Sequence, residues 1–409
     1  MTYEKIDVGE LVTLRQGFAI NKNTNHHMSD EPTDLHLLRI GDMKDGNFCI
    51  YVKDTIPDKF IAKGNDIIYT RTGQVGLVFR RQYGVVHNNC FTVNTNDESI
   101  LSQDYLYYAL QENVFYEEAI SRATGAAQPD LPHGAFNSIK IFLPPIDNQR
   151  RIAEILDAYN DLIENNQKQI KLLEEAAQRL YKEWFVDLRF PGYEDVDIID
   201  GVPAGWMRKT VLECLEMHIG GGWGKENIVG KNIIPGKVIR GTDINDIKNG
   251  NIDDIPLRYH TENDILKRAL KSNDIVFELS NGNINNIGRS LLVDDLMLKK
   301  CGENTICASF CKLFRPLNRT HALMLYCEIQ DMQVTGRMMP YKKQGSNGIN
   351  NFAFDKFLAH ELLIPNDKAI LEPLENIMRK ISIMQNQISL LSEARERLLP
   401  KLISGQIEV

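Results

Sequence analysis

The sequence predicts an α+β fold in which two β-rich mixed domains are joined by two long helices. The helices are predicted to pair as an antiparallel intramolecular coiled coil, with an internal pseudo-two-fold repeat. Three observations predict this fold: a segment that occurs twice, two long runs with coiled-coil periodicity, and short apolar segments bounded by turn residues. The chain has 409 residues, which is long for one hydrophobic core and suggests two or three domains.

The repeat is clearest in two nine-residue segments. Residues 172–180 read LLEEAAQRL, and residues 390–398 read LLSEARERL. Weaker matches occur upstream in the same order, among them KGNDII in the first half and KSNDIV in the second. Because the order of the matches never changes, we interpret the chain as a tandem duplication of residues 1–190 and 202–409.

Each half is predicted to contain a β-rich domain followed by a long helix. The predicted boundaries are 1–148 for the first domain, 149–190 for the central helix, 191–365 for the second domain and 366–409 for the C-terminal helix. In both helices apolar residues recur at alternating steps of three and four, which is the pattern of a coiled-coil seam. Asn166 interrupts the first seam, and such a residue fixes the register of pairing.

The direction of pairing follows from the connection between the helices. About 35 helical residues span about 50 Å, and the second domain must lead from the end of one helix to the start of the other. An antiparallel pair brings these two points together, so we expect a dumbbell with two similar domains on a fixed spacer. This spacing suits duplex DNA, whose grooves repeat every ~34 Å.

Within the domains, apolar runs bounded by turn residues predict strands. The predicted strands include Val75–Arg80, Asn89–Asn94 and Ala308–Phe314, and Ser102–Ala119 is predicted to be a helix.

Composition excludes several classes of protein. A net charge of −8 argues against a protein that coats nucleic acid by bulk charge, although it permits local basic surfaces. The seven cysteines contain no CxxC pair, which predicts reduced thiols in a cytoplasmic protein and no metal site. The polar segment MTYEKIDVGE does not read as a targeting peptide, and no apolar run approaches the ~20 residues that cross a bilayer.

Four segments carry a family resemblance. LPPIDNQRRIAEILDAYNDLIE, followed by LLEEAAQRLYKEWFVDLRF, resembles the central conserved region of the specificity (HsdS-type) subunits of type I restriction–modification systems. ARERLLPKLISGQIEV resembles their C-terminal conserved region. TGAAQPDLPHGAFNSIKIFLPP resembles the end of their first target-recognition domain, and VPAGW the start of their second. The first half departs from this pattern, since Tyr3–Leu11 lacks the proline–Gly–Trp opening of the second.

The resemblance covers the whole chain and implies a DNA sequence-recognition subunit with no catalytic residues. In that family each recognition domain reads one half of a bipartite, gapped site in double-stranded DNA. The helices hold two DNA methyltransferase subunits, which recruit restriction subunits. The resemblance implies no cofactor in this chain and no membrane partner. S-adenosylmethionine, ATP and Mg²⁺ would serve the partner subunits in adenine-N6 methylation and ATP-dependent cleavage.

Two loops in each domain carry the donors and acceptors that sequence reading requires. Those of the first domain lie in TRTGQVG, in the segment that follows it, and in TGAAQPD. Those of the second lie in SNGNINNIGR and YKKQGSNGINN. The predicted DNA-contacting residues are Arg71, Thr72, Gln74, Arg80, Arg81, Asn88, Asn89, Gln128, Asn281, Asn283, Asn285, Asn286, Arg289, Lys342, Lys343, Gln344 and Asn347.

Each of these residues also has a structural interpretation. Asn-Gly and Thr-Gly are ordinary turn formers, so a single asparagine here can serve the turn alone. Arg80 and Arg81 fit either phosphate contacts or a solvated strand end. Tyr181, Trp184 and Phe185 fit either a partner-binding patch or a hydrophobic plug between helix and domain.

Two rival functions make different demands on the sequence. An adenine methyltransferase needs an Asp/Asn-Pro-Pro-aromatic motif, which the PP of FLPPID lacks on both sides. A metal-dependent nuclease needs clustered acids with a lysine, for which Asp42–Lys44 and Asp246–Lys248 offer only an Asp-x-Lys fragment. A coiled-coil adaptor that binds no nucleic acid would lack the paired amide-rich loops.

Overall fold

The computed structural model describes residues 3–345 and 348–409 and divides into two compact units. Unit 1 extends to Asp161 and includes Glu393–Val409, and unit 2 is Leu162–Ser392. Each unit therefore contains one β-rich part and one portion of each long helix.

The described part of unit 1 has two sheets, a two-stranded ribbon and short helices. The four-stranded antiparallel sheet has the strand order Val12–Gln16, Cys90–Thr95, Ile67–Thr70 and Val78–Phe79. The five-stranded sheet has the order Met28–Ser29, Tyr51–Val52, Leu35–Leu38, Gly84–Val86 and Ile61–Ala62. The ribbon pairs Glu4–Asp7 with Lys140–Leu143. The short helices are Ile40–Asp45, Gln103–Ala109, Asn113–Arg122 and His133–Asn137.

Unit 2 has a related set of sheets in its described residues. Its four-stranded antiparallel sheet has the order Leu215–Gly220, Cys311–Pro316, Ile275–Glu278 and Ser290–Leu292. One three-stranded sheet has the order Leu257–His260, Ile234–Ile239 and Ile306–Cys307, and another Ser280–Asn281, Asn350–Phe352 and Lys342–Lys343. Two ribbons pair Trp206–Thr210 with Glu361–Pro365 and Ile198–Ile199 with Val202–Pro203. The shorter helices are Asp243–Lys248, Glu262–Arg268, Asp295–Cys301, Arg319–Val334 and Phe354–Leu358.

The four-stranded sheets of the two units are built in the same way. In both, the first strand in sequence pairs with the fourth, the fourth pairs with the second, and the second pairs with the third. The described residues of each unit also include a parallel strand pair, which is Leu35–Leu38 with Gly84–Val86 in unit 1 and Ile234–Ile239 with Ile306–Cys307 in unit 2. The matched sequence segments therefore occupy matched strands.

The predicted elements of the domains are confirmed in part. The strand predicted at 89–94 is Cys90–Thr95, but the one predicted at 75–80 is only Val78–Phe79. The predicted helix 102–119 is two helices, because Glu112 begins a new one by accepting hydrogen bonds from two backbone N–H groups of its first turn.

The long helices have clear sequence boundaries. The central helix, Ile146–Tyr181, begins directly after Pro145 and continues into a wider π turn at Lys182–Val186. The C-terminal helix is Glu372–Ile403, inside the predicted 366–409. The central helix thus starts three residues earlier than the predicted 149, since the proline pair ends the preceding strand.

Contacts between the long helices occur within both units. In unit 2, Ile170 packs with Ile381 and Ile388, and the Asn166 amide lies 3.4 Å from the Gln387 side-chain oxygen. In unit 1 the Arg395 guanidinium donates to the side-chain oxygen of Asn160 at 2.6 Å. The core of unit 1 likewise joins both helices, through the residues Ile152, Leu156, Leu402 and Ile403.

A close backbone approach fixes the identity of Gly221, and it yields a stability prediction. A Cβ at Gly221 would overlap the carbonyl oxygens of Ala308 and Cys307, whereas a Cβ at Gly220 would meet nothing within 4 Å. We expect Gly221→Ala to lower the free energy of unfolding of unit 2 by about 1–3 kcal/mol, the usual cost of overpacking. Gly220→Ala is the matched control and should change it by less than about 0.5 kcal/mol.

The measurement is urea unfolding followed by tryptophan fluorescence. The three tryptophans, Trp184, Trp206 and Trp223, all belong to unit 2, so the signal reports that unit. Equal stability of the two variants would contradict the close approach.

Candidate nucleic-acid interface

The structure brings the two candidate loops of unit 1 together. The backbone N–H of Arg71 donates to the Asn89 carbonyl at 2.8 Å, and that of Gly73 donates to the Pro129 carbonyl at 2.8 Å. Thr124 and Asp130 exchange two backbone hydrogen bonds that close the second loop. The segments 70–76, 87–89 and 124–130 therefore form one continuous surface.

Arg71 holds this surface together. Its guanidinium lies 2.6 Å from the Asp130 carboxylate and 2.9 Å from the side-chain oxygen of Gln16, and Thr72 donates to the same carboxylate at 2.5 Å. The hydrogen bond from Arg71 is the main reason that the pKa of Asp130 lies below its ordinary value. Arg71 is therefore engaged within the protein, which favours a positioning role over a direct contact with guanine.

The amide side chains differ in exposure. Gln74 and Gln128 are exposed, whereas Asn88 and Asn89 are half-buried. The Asn88 carbonyl accepts from Gln16 at 2.6 Å, so this pair of asparagines helps to fix the loop backbone. The exposed glutamines are the better placed of the four to contact bases.

Arg80 and Arg81 have different surroundings. The side chain of Arg80 is only 10% exposed and is bound by Asp157, Tyr108 and Asp104, with its guanidinium 4.2 Å from the Tyr107 ring centroid. This environment favours a structural role for Arg80. Arg81 is exposed and lies 3.0 Å from Asp161.

The candidate loops of unit 2 meet in a three-stranded sheet. Ser280–Asn281 and Lys342–Lys343 pair with opposite edges of Asn350–Phe352. The Asn350 amide also donates to the Gly282 carbonyl at 2.8 Å. Unit 2 thus joins its two loops at the position where unit 1 joins its own.

A buried carboxylate anchors the first of these loops. Glu278 is 2% exposed; its oxygens accept from Arg289 Nε and from the Asn281 amide, each at 2.7 Å. Arg289, like Arg71, is therefore engaged within the protein. Glu278, Asp130 and Gln16 are not recognisable as loop anchors in the sequence, because a polar residue at a strand end gives no signal of its partner.

The remaining predicted residues of unit 2 are mostly exposed. Asn281 and Asn283 accept hydrogen bonds from backbone N–H groups two residues on, which is the asparagine turn that the structural interpretation expects. Lys342 donates to Gln333 at 3.2 Å. Asn286 is half-buried, the exposed side chains are those of Asn283, Asn285, Lys343 and Gln344, and Asn347 lies outside the described residues.

The aromatic residues at the end of the central helix lie in a core. Tyr181 and Phe185 are buried, with ring centroids 5.6 Å apart, and Phe185 lies 5.4 Å from Trp206. The Tyr181 hydroxyl donates to Glu328 at 2.9 Å. Trp184 packs at the edge of this cluster. The arrangement favours the hydrophobic plug over a partner-binding patch.

The two Asp-x-Lys fragments have separate surroundings. Asp42 is bound by Arg39 at 2.7 Å. Lys248 lines a cavity of about 350 Å³ in unit 2 and donates to Gln330 at 3.1 Å. Among residues 3–345 and 348–409, no group of three or more metal-binding side chains occurs.

Within the described chain, no helix is long and apolar enough to cross a membrane.

Comparisons with known proteins agree with the resemblance found in the sequence. Residues 1–175 match the family model of the type I restriction modification DNA specificity domain. The type I restriction enzyme MjaIX specificity subunit of Methanocaldococcus jannaschii is 25% identical over 86% of this chain and 79% of its own. The MjaVIII specificity subunit of the same organism is 26% identical over 42% of each chain.

A solved structure has a similar fold. It is the type I restriction–modification system S subunit from M. genitalium, which superposes with a TM-score of 0.55 at 16% identity. The match covers 98% of this chain and 96% of that one.

Proposed function

Because this chain belongs to the family of type I restriction–modification specificity subunits, we propose that it reads a bipartite, gapped site in double-stranded DNA. One half-site falls to the loops of unit 1 and the other to those of unit 2. The observation that carries the proposal is that two polar loops are joined in each unit at matched places. A duplicated chain suits two different half-sites, since its halves diverge independently.

The base contacts are assigned to the exposed amide and basic side chains. Glutamine and asparagine pair with adenine, and lysine contacts guanine or phosphate. Arg71 and Arg289 are assigned a positioning role, because both are bound to carboxylates of their own unit. The proposed contacts are those of Gln74, Gln128, Asn283, Asn285, Lys343 and Gln344.

We assign the long helices to partner subunits. They are proposed to pair as an antiparallel coiled coil and to hold two DNA methyltransferase subunits, through which restriction subunits join. Within unit 1, Asn160 contacts Arg395 while the earlier Ile152 shares a core with the later Leu402, which supports this direction of pairing. S-adenosylmethionine, ATP and Mg²⁺ are proposed to act in those partners, in the cytoplasm, and this chain to be non-catalytic.

The net charge of −8 leads to a prediction about affinity. We expect the isolated chain to bind its site weakly at about 150 mM salt, because phosphate contacts supply most of the affinity and fade with salt. The complex with methyltransferase subunits should bind tightly, with log K falling linearly against log salt. Fluorescence anisotropy with a labelled duplex measures both.

Two results would contradict this account. Tight binding by the isolated chain at the same salt would place the affinity in this subunit. Methylation or cleavage of DNA by the purified chain alone, with methyl donor and Mg²⁺, would show that catalysis does not belong to the partners. A coiled-coil adaptor, by contrast, should bind no DNA even when assembled.

A further inference from the structure

Phe310 is an exposed aromatic residue beside the candidate loops of unit 2. It is 55% exposed, whereas the nearby Cys307, Ala308 and Cys311 are buried. Its carbonyl accepts from the backbone N–H of Leu279 at 2.9 Å and of Ser280 at 3.2 Å. The side chain therefore projects from the point where the asparagine-rich loop leaves its strand.

In unit 1 the position equivalent to Phe310 is occupied by Asn89. There the Asn89 carbonyl accepts from the backbone N–H groups of Arg71 and Thr72, at 2.8 and 3.2 Å. The residue that follows Asn89 or Phe310 also has a matching partner in the two units. Cys90 pairs with Thr70, the last residue of the strand Ile67–Thr70, and Cys311 pairs with Glu278, the last residue of the strand Ile275–Glu278. Phe310 is thus the counterpart of the half-buried Asn89, and it differs from Asn89 in presenting an exposed apolar side chain.

Exposure alone does not give Phe310 a role, since single apolar side chains are common on protein surfaces. Its neighbours give it one. Asn281 and Ser280 are within the adjoining strand, and Asn283 and Asn285 are exposed on the loop that follows. The exposed ring of Phe310 and these amides therefore come from directly adjoining segments of unit 2.

We propose that Phe310 reads the 5-methyl group of a thymine in the half-site of unit 2. In the major groove an A·T pair presents adenine N6 and N7 for an asparagine and the thymine methyl for an apolar side chain. A phenylalanine beside amides matches both halves of that pair. This inference rests on the proposed function and adds a base to the half-site of unit 2.

Replacing thymine with uracil tests the contact, because uracil differs only by the methyl group. We expect the complex with methyltransferase subunits to lose about 3- to 10-fold in affinity when one thymine of this half-site becomes uracil, the worth of about one methyl group. Phe310→Ala should bind the thymine duplex more weakly than the unsubstituted protein does. It should bind the uracil duplex and the thymine duplex equally well. The duplexes carry one substitution each and are compared by competition.

Leu317→Ala is the matched control. Leu317 is 49% exposed and follows the far end of the strand Cys311–Pro316, about 20 Å from Phe310 at the usual rise of a strand. This variant should discriminate uracil from thymine as the unsubstituted protein does.

The outcomes separate this inference from the proposed function. Sequence-specific binding without thymine discrimination, or discrimination that survives Phe310→Ala, overturns the role of Phe310 alone. Loss of all sequence preference in the unsubstituted complex overturns the proposed function itself.

Discussion

The substitution Glu328→Gln is expected to lower the free energy of unfolding of unit 2 by about 3 kcal/mol. The side chain of Glu328 is 6% exposed and accepts hydrogen bonds from Tyr181 at 2.9 Å, Arg337 at 2.9 Å and His360 at 2.7 Å. Removing the charge leaves Asp331 as the carboxylate paired with Arg337 among the described residues. The expected loss of stability is at the low end of the range for breaking buried ion pairs. The reason is that the Arg337 side chain is 41% exposed, so part of its charge is solvated.

Tryptophan fluorescence in urea measures this loss, since all three tryptophans lie in unit 2. Glu175→Gln is the control: this carboxylate lies on the central helix, 3.5 Å from the exposed Arg179. Exposed pairs of this spacing contribute about 0.3–0.5 kcal/mol. Equal losses in the two variants would show that the Glu328 network is not important for stability.

The pH dependence of the same variant follows from the pKa of Glu328. Burial alone would raise this pKa, but hydrogen bonds from His360 and Arg337 outweigh burial and lower it from its ordinary value of 4.5. A lowered pKa in the folded state means that the carboxylate stabilises the fold above pH 4.5. The stabilisation is lost as pH falls through the lowered value, so the difference between Glu328→Gln and the unsubstituted protein should shrink in acid.

The helices and the duplication were predictable from sequence, because both leave a periodic or repeated pattern. The central helix ends its regular form near Tyr181 because the chain there turns into a buried aromatic cluster. No local sequence pattern predicts this end of the helix, since Phe185 and Trp206 come into contact only in the folded unit.

The positions of the candidate loops were predictable from the sequence, but the roles of the individual side chains in them were not. Arg71, Arg80 and Arg289 read in sequence as donors for bases or phosphates. Their partners are Asp130, Asp157 and Glu278, which lie 59, 77 and 11 residues away along the chain. Burial and pairing at such distances decide whether an arginine positions a loop or contacts a ligand.

The second large effect concerns the DNA sequence that the proposed complex with methyltransferase subunits would methylate. Replacing residues 1–148 with those of a divergent relative is expected to change one half of a gapped motif and to leave the other half unchanged. The Gln149 amide donates to the Ile100 and Pro144 carbonyls, and Ile152 and Leu156 lie in the core of unit 1. The donor domain must therefore come from a relative that has the same three residues at the start of its central helix.

The reciprocal exchange of residues 191–365 is the matched control, and it should change only the other half of the motif. A donor that fails to fold would abolish methylation altogether, so methylation at a new motif also shows that the exchanged unit has folded.

The most direct test is a map of adenine methylation in a host without other modification systems, expressing this chain with the proposed methyltransferase partner. A two-part motif with a fixed gap, of which one half changes with each exchange, is the predicted result. A single continuous motif, or an exchange that alters both halves or neither, would contradict the reading of one half-site by each unit.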